Sequence, residues 1–124
     1  MNIGKKIIKT KMKIDENILP CKDNRIKAFT ILRDADDSEG EYAGNNICDY
    51  TNDFPFHIIE NRMELSHMLD IKMARILQPL QVHDTKVSIV DAQFMNCDLR
   101  TLVQNRLADT DALVTSLKGV LIGV

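Results

Sequence analysis

Tryptophan is absent from this chain, and only four phenylalanines and two tyrosines occur. The core must therefore be built mostly from Ile, Leu, Val and Met, and few rings are available for stacking on nucleic-acid bases. Five glycines are present, and none falls into the Walker or dinucleotide-binding spacing. The common nucleotide-binding loops are excluded on that ground. The three cysteines, Cys21, Cys48 and Cys97, are far apart. Zinc sites show close pairs and disulfide scaffolds show denser cysteine, so reduced thiols are expected. No window approaches the ~20 apolar residues of a membrane helix. The first residues, Met-Asn-Ile-Gly-Lys-Lys, lack the apolar stretch of a secretory signal. These absences lead to the expectation of a cytoplasmic protein, or one of host cytoplasm or virion, with no membrane partner and no cofactor.

What is present suits one ordinary domain over residues 1–124, with 44% apolar and 27% charged residues. The charges are segregated. Residues 1–33 carry nine Lys or Arg against three acids, residues 34–60 carry eight acids and no Lys or Arg, and residues 61–124 carry seven of each. From Ile8 to Ile14 the pattern has period two, with Lys9, Lys11 and Lys13 on one side, which predicts a half-buried strand with a lysine face. Residues 25–33 give a second strand, able to pair with the first as a hairpin. Residues 34–46 read as an acidic loop. A short strand is expected over 47–50, and Pro55 makes 54–59 an edge strand or extended entry segment.

Asn61 followed by Glu64 has the spacing of a capping box. Leu65, Met68, Leu69, Met73, Ile76, Leu77 and Leu80 then recur at helical spacing, so a helix is predicted from Asn61 to near Gln78, stopped by Pro79. Residues 85–95 read as a central strand. Asn96 or Asp98 would cap a second helix, Asp109 to Asp111 a third short one over 112–118 ended by Gly119, and 120–124 a final strand. The fold class expected is α+β: one mostly antiparallel sheet of four to five strands, with two or three helices packed on one face.

Within that frame Val87-Ser-Ile-Val-Asp, Ala92-Gln-Phe-Met-Asn and Cys97-Asp-Leu-Arg-Thr resemble three coils of a pentapeptide-repeat protein. The resemblance implies a right-handed β-solenoid. Its register breaks at Leu102 to Gln104, and a strand followed by a helix covers the same residues without a break, so no function is carried over from it.

Several patterns bear on chemistry. Starting a calcium loop at Asp34 places Glu39 where glycine belongs and Asn45 where the closing Glu belongs, so the pattern fails twice. Glu60, Glu64 and His67 include one Glu-x-x-His, but a di-metal bundle site needs two. His57, His67 and His83 are the only histidines, and nothing in their spacing brings one beside Cys48 or Cys97 as a nucleophile and base. Lys9, Lys11 and Lys13 are able to track a phosphate backbone or to guard a sheet edge.

With catalytic signatures absent and opposite charges segregated, the reading is a non-catalytic interaction or assembly protein. A small phage or viral structural component would use such logic. Lys9, Lys11 and Lys13 on one copy would meet Asp36, Asp37 and Glu39 on the next, giving a homo-oligomer or a complex with a protein partner. The alternatives are a nucleic-acid or nucleotide-ligand binding module using the lysine strand, and an enzyme of unrecognised type.

Overall fold

The computed structural model describes residues 12–16, 25–33, 40–98 and 107–124. The chain divides into two compact units, Met1–Met68 and Leu69–Val124.

In the first unit β1 (Ile14–Asp15) pairs antiparallel with β2 (Thr30–Ile31), Ile14 opposite Ile31. The ladder is extended by the Leu32 N–H donating to the Lys13 carbonyl at 2.9 Å. Helix α1 runs from Pro55 to Leu69. Proline suits the first helical position, where its missing N–H has no partner to lose. The expected extended segment at 54–59 is thus the first turn of a helix. Asn61 is not a cap but a buried mid-helix residue, on the same face as Ile58 and Leu65. Its amide has another use: it donates to the carbonyls of Gly44 and Asn46 at 3.2 and 2.8 Å. Arg62 donates to the Ile47 carbonyl at 2.8 Å, so one turn of helix pins the 44–47 loop, where a strand was expected over 47–50. Glu64 accepts from the Met12 N–H at 2.7 Å instead of closing a capping box. The helix ends at Asp70, whose φ of 52° is left-handed and cannot continue it.

In the second unit the apolar stripe that looked helical beyond residue 70 becomes a short 3₁₀ turn (Met73–Arg75) and a buried strand, β3 (Ile76–Leu77). Strand β4 (Val87–Val90) is followed by a single helical turn, α2 (Ala92–Met95), capped by Asp91 accepting from the Phe94 N–H at 2.8 Å. The expected third helix at 112–118 begins instead as strand β5 (Ala112–Thr115), and Gly119 (φ 69°) lies in the turn that leads to β6 (Leu121–Ile122). β3 pairs parallel with β6, and β4 pairs parallel with β5, Val87 opposite Ala112 through Val90 opposite Thr115.

These pairings correct the expected fold class. There is no four- to five-stranded antiparallel sheet among the described residues, but three two-stranded pairs, two of them parallel. The reason is connectivity: a tight hairpin returns the chain antiparallel, whereas β4 reaches β5 through a crossover that contains α2, and a crossover returns it parallel. The solenoid implied by the pentapeptide resemblance is likewise replaced by strand and helix. Leu77, Val90 and Phe94 form the buried core of this unit, with Leu107, Leu113, Leu117 and Ile122 packed against it. The second helix proposed around 99–107 falls largely outside the described residues.

Candidate functional site

Among the described residues of the second unit, the non-glycine residues at positive φ are Asp70, His83 and Asp109, and the loop between β3 and β4 carries His83. It leaves the sheet after Leu80, whose N–H donates to the Leu107 carbonyl at 2.9 Å and which forms a parallel bridge with Ala108. It returns at Lys86, whose carbonyl accepts from the Asp111 N–H at 2.9 Å. Between these anchors His83 adopts φ 61°. A residue with a Cβ in the left-handed region is strained, and such strain persists only where the surroundings fix it.

Asp111 does the fixing. One of its carboxylate oxygens accepts the N–H groups of Val82 and His83, each at 2.8 Å, and the other accepts that of Asp84 at 2.7 Å. Successive N–H groups turned to one side form a concavity for an anion, and here the anion is a side chain of the same chain. Burial pushes the Asp111 carboxyl up, but the N–H donors and the nearby His83 outweigh it and hold the group below the ordinary carboxylate range. Gln81 donates to the Asp111 carbonyl at 3.3 Å. Beneath the loop Thr110 is fully buried and hydrogen-bonds Ser88 and the Ala108 carbonyl, which ties the segment before β5 to β4. The His83 ring is thus carried, exposed, on a turn whose backbone is held from both sides.

A second titratable pair lies in the first unit. Asp53 accepts from the Phe54 N–H at 2.8 Å and from Asn46 at 3.1 Å, and pairs with the His57 ring one helical turn on. Burial raises the Asp53 carboxyl, while the bonds from His57, Asn46 and Phe54 lower it further, so the net direction is down. Both side chains are nearly buried, at 7% and 13% exposure, which suits a helix-entry lock better than a site open to substrate.

Of the residues singled out for charge-driven binding, only Lys13 is described. It is exposed beside β1. Lys9, Lys11, Asp36, Asp37 and Glu39 lie outside the described residues. Glu60 and His67 are exposed on α1, while Glu64 is engaged with Met12. Neither Cys48 nor Cys97 forms a disulfide among the described residues. No group of three or more His, Cys, Asp or Glu able to hold a metal ion occurs among the described residues. No helix among them is long and apolar enough to cross a membrane. The sequence reading noted His83 but missed Asp111 as its partner, because the two are 28 positions apart.

The family model described as multi-copper polyphenol oxidoreductase laccase matches residues 27–124. Over 99 residues the chain is 32% identical to a protein named adenosine deaminase RL5, from an unknown prokaryotic organism, covering 80% of this chain and 37% of that protein. The chain therefore spans little more than a third of the length of that curated relative. No solved structure matches it. Both matches carry the names of enzymes. They overturn the expectation of a non-catalytic assembly protein, and with it the phage or viral structural component. The expectation rested on the absence of linear catalytic motifs, and such an absence does not exclude an enzyme whose groups meet only in the fold.

Proposed function

This chain belongs to the multi-copper polyphenol oxidoreductase laccase family, and on that premise we propose that it forms part of an enzyme that deaminates a purine nucleoside, with the His83 turn at the reacting centre. The observation that carries the reading is the strained backbone of an exposed histidine, clamped by three hydrogen bonds on one carboxylate. The substrate class is taken from the name of the relative, adenosine deaminase RL5.

The family description implies copper, and the residues present do not fit a multi-copper centre. Such centres gather many imidazoles, with two imidazoles and a cysteine thiolate at the blue-copper ion. The whole chain has three histidines. His57 is paired with Asp53, and His67 lies on the same helix as His57. No step is derived through copper.

Hydrolytic deamination adds water to the purine C6, moves a proton to the ring and to the amino group, and releases ammonia to leave the 6-oxo product. The step needs an activated water and a group that carries its proton. An imidazole on a fixed, solvent-facing turn suits either duty: it accepts the proton itself, or it ligates an ion that makes the water acidic. The chain is placed inside the cell in this reading, as its few and widely spaced cysteines favour.

The test is conversion of adenosine to inosine with release of ammonia by the purified chain, beside oxygen uptake with a diphenol. Metal analysis of the same sample separates the two duties of His83. Inosine production that disappears in His83→Ala supports the reading. Diphenol oxidation without deamination overturns it.

A further inference from the structure

We propose that Asp111 is the positioning residue of this site: by holding Val82, His83 and Asp84 on both carboxylate oxygens, it sets the backbone from which the His83 imidazole projects. The inference rests on the reading of His83 given above. Three features carry it. First, both oxygens are used, two N–H groups on one and one on the other, so the carboxylate fixes the loop in orientation as well as in distance. A neutral amide has only one acceptor oxygen and would turn an N–H against an N–H. Second, Asp111 is itself anchored. Its N–H is bonded to the Lys86 carbonyl, and the next residue, Ala112, opens β5 in register with Val87 of β4. The clamp therefore transmits the position of a sheet to a loop. Third, the left-handed position is held by histidine, where glycine or asparagine would build the same turn at lower cost. Histidine is among the residues that tolerate this region, and choosing it over glycine points to a demand on the side chain as well as on the turn.

A positioning role and a merely structural one differ in their consequences. A structural clamp changes how much protein is folded and leaves the folded fraction fully active. A positioning clamp changes turnover in protein that is still folded, because small displacements of a reacting group cost up to about a hundredfold in rate.

Asp111→Asn, Asp111→Ala and His83→Ala in the full chain form the experiment. Circular dichroism establishes folding, and kcat and KM for adenosine are measured together with amide hydrogen exchange at Val82, His83 and Asp84. The expected result is a folded Asp111→Asn protein in which the three amides lose protection, kcat falls about 10- to 100-fold, and KM moves by less than about threefold. Asp111→Asn nearly preserves side-chain volume and carries the test if Asp111→Ala does not fold. The inference is overturned if the folded variant keeps wild-type kcat, if its three amides remain protected, or if Asp111→Asn cannot fold at all, which would make the carboxylate a determinant of the fold. Full activity in His83→Ala would instead sink the reading of His83, whereas an inactive His83→Ala beside a fully active Asp111→Asn removes only the role of Asp111.

Discussion

Replacing His83 by glycine separates function from folding in one substitution. His83 sits at φ 61°, where a residue with a Cβ costs about 1–2 kcal/mol relative to the right-handed region. Glycine visits that region freely, but fixing its more flexible backbone costs about 0.5–1 kcal/mol. The two terms oppose each other, and the balance is between zero and about 1.5 kcal/mol in favour of His83→Gly. The hydrogen bonds that hold the turn come from backbone N–H groups, so they survive the substitution. For a chain of this size about 1 kcal/mol corresponds to roughly 4 °C in Tm. His83→Gly is therefore expected to melt at the same temperature as the parent or up to ~6 °C above it. Loss of a proton-carrying imidazole is worth about 10²- to 10⁴-fold in turnover, so the same protein is expected to be nearly inactive on adenosine. Thermal denaturation followed by circular dichroism and an inosine assay on the same preparation give both quantities. A fall in Tm of ~5 °C or more shows that the imidazole supports the fold, and retained turnover shows that it does no chemistry. Either result refutes the argument that strain here is kept for function.

Three further outcomes concern stability. Asn61 is buried and serves two carbonyls, so Asn61→Leu leaves both unsatisfied and is expected to cost about 1–3 kcal/mol, read as a lower urea midpoint. An unchanged midpoint would mean that water replaces the amide. Phe94 is fully buried in the core with Leu77 and Val90, so Phe94→Ala is expected to cost about 3–5 kcal/mol; amide exchange in β4 and β5 should accelerate, and slow exchange there would contradict the packing. Asp53 is lowered in the folded state, so its stabilisation is complete above the ordinary carboxylate value of about 4 and is lost as pH falls below it. Asp53→Asn should flatten that acid limb of a Tm-against-pH curve, and an identical limb in both proteins would assign acid unfolding to other groups.

The parts of the fold legible in the sequence were those decided within a few residues. The alternation ending at Ile14 and the apolar run 25–33 do meet as an antiparallel pair, and Val87–Val90 and Leu121–Ile122 are strands where apolar residues were dense. The helical stripe misled because spacing alone does not say where a helix stops. Leu69 and Met73 continue the pattern of Leu65, but Asp70 turns left-handed between them, and Ile76 and Leu77 are buried in a strand instead. A short buried strand and a buried helix face have the same composition. At 112–115 the sequence Ala-Leu-Val-Thr contains two β-branched residues, and weighting them above the preceding Asp109 and Asp111 would have favoured a strand.

The acidic residues show why the site escaped while its chemistry was half in view. Asp109 and Asp111 were assigned to capping a helix, on the principle that a carboxylate takes up backbone N–H groups with no partner of their own. That is what Asp111 does, and Asp91 does it for α2. The principle held and its object differed: three N–H groups of a strained loop 27 to 29 positions earlier in the chain, not the first turn of a following helix. A helix offers free N–H groups only at its start, so a cap is local and can be read from adjacent residues. A loop offers them wherever tertiary structure brings a carboxylate, and the β4–β5 register that brings this one is itself non-local. The same fact sets the order of dependence at the site: parallel pairing places Asp111, Asp111 holds the turn, and the turn presents His83. The chemistry proposed for His83 therefore depends on the strand register as much as on the histidine, and a slip of β5 by one residue would dismantle the clamp without changing any residue in it.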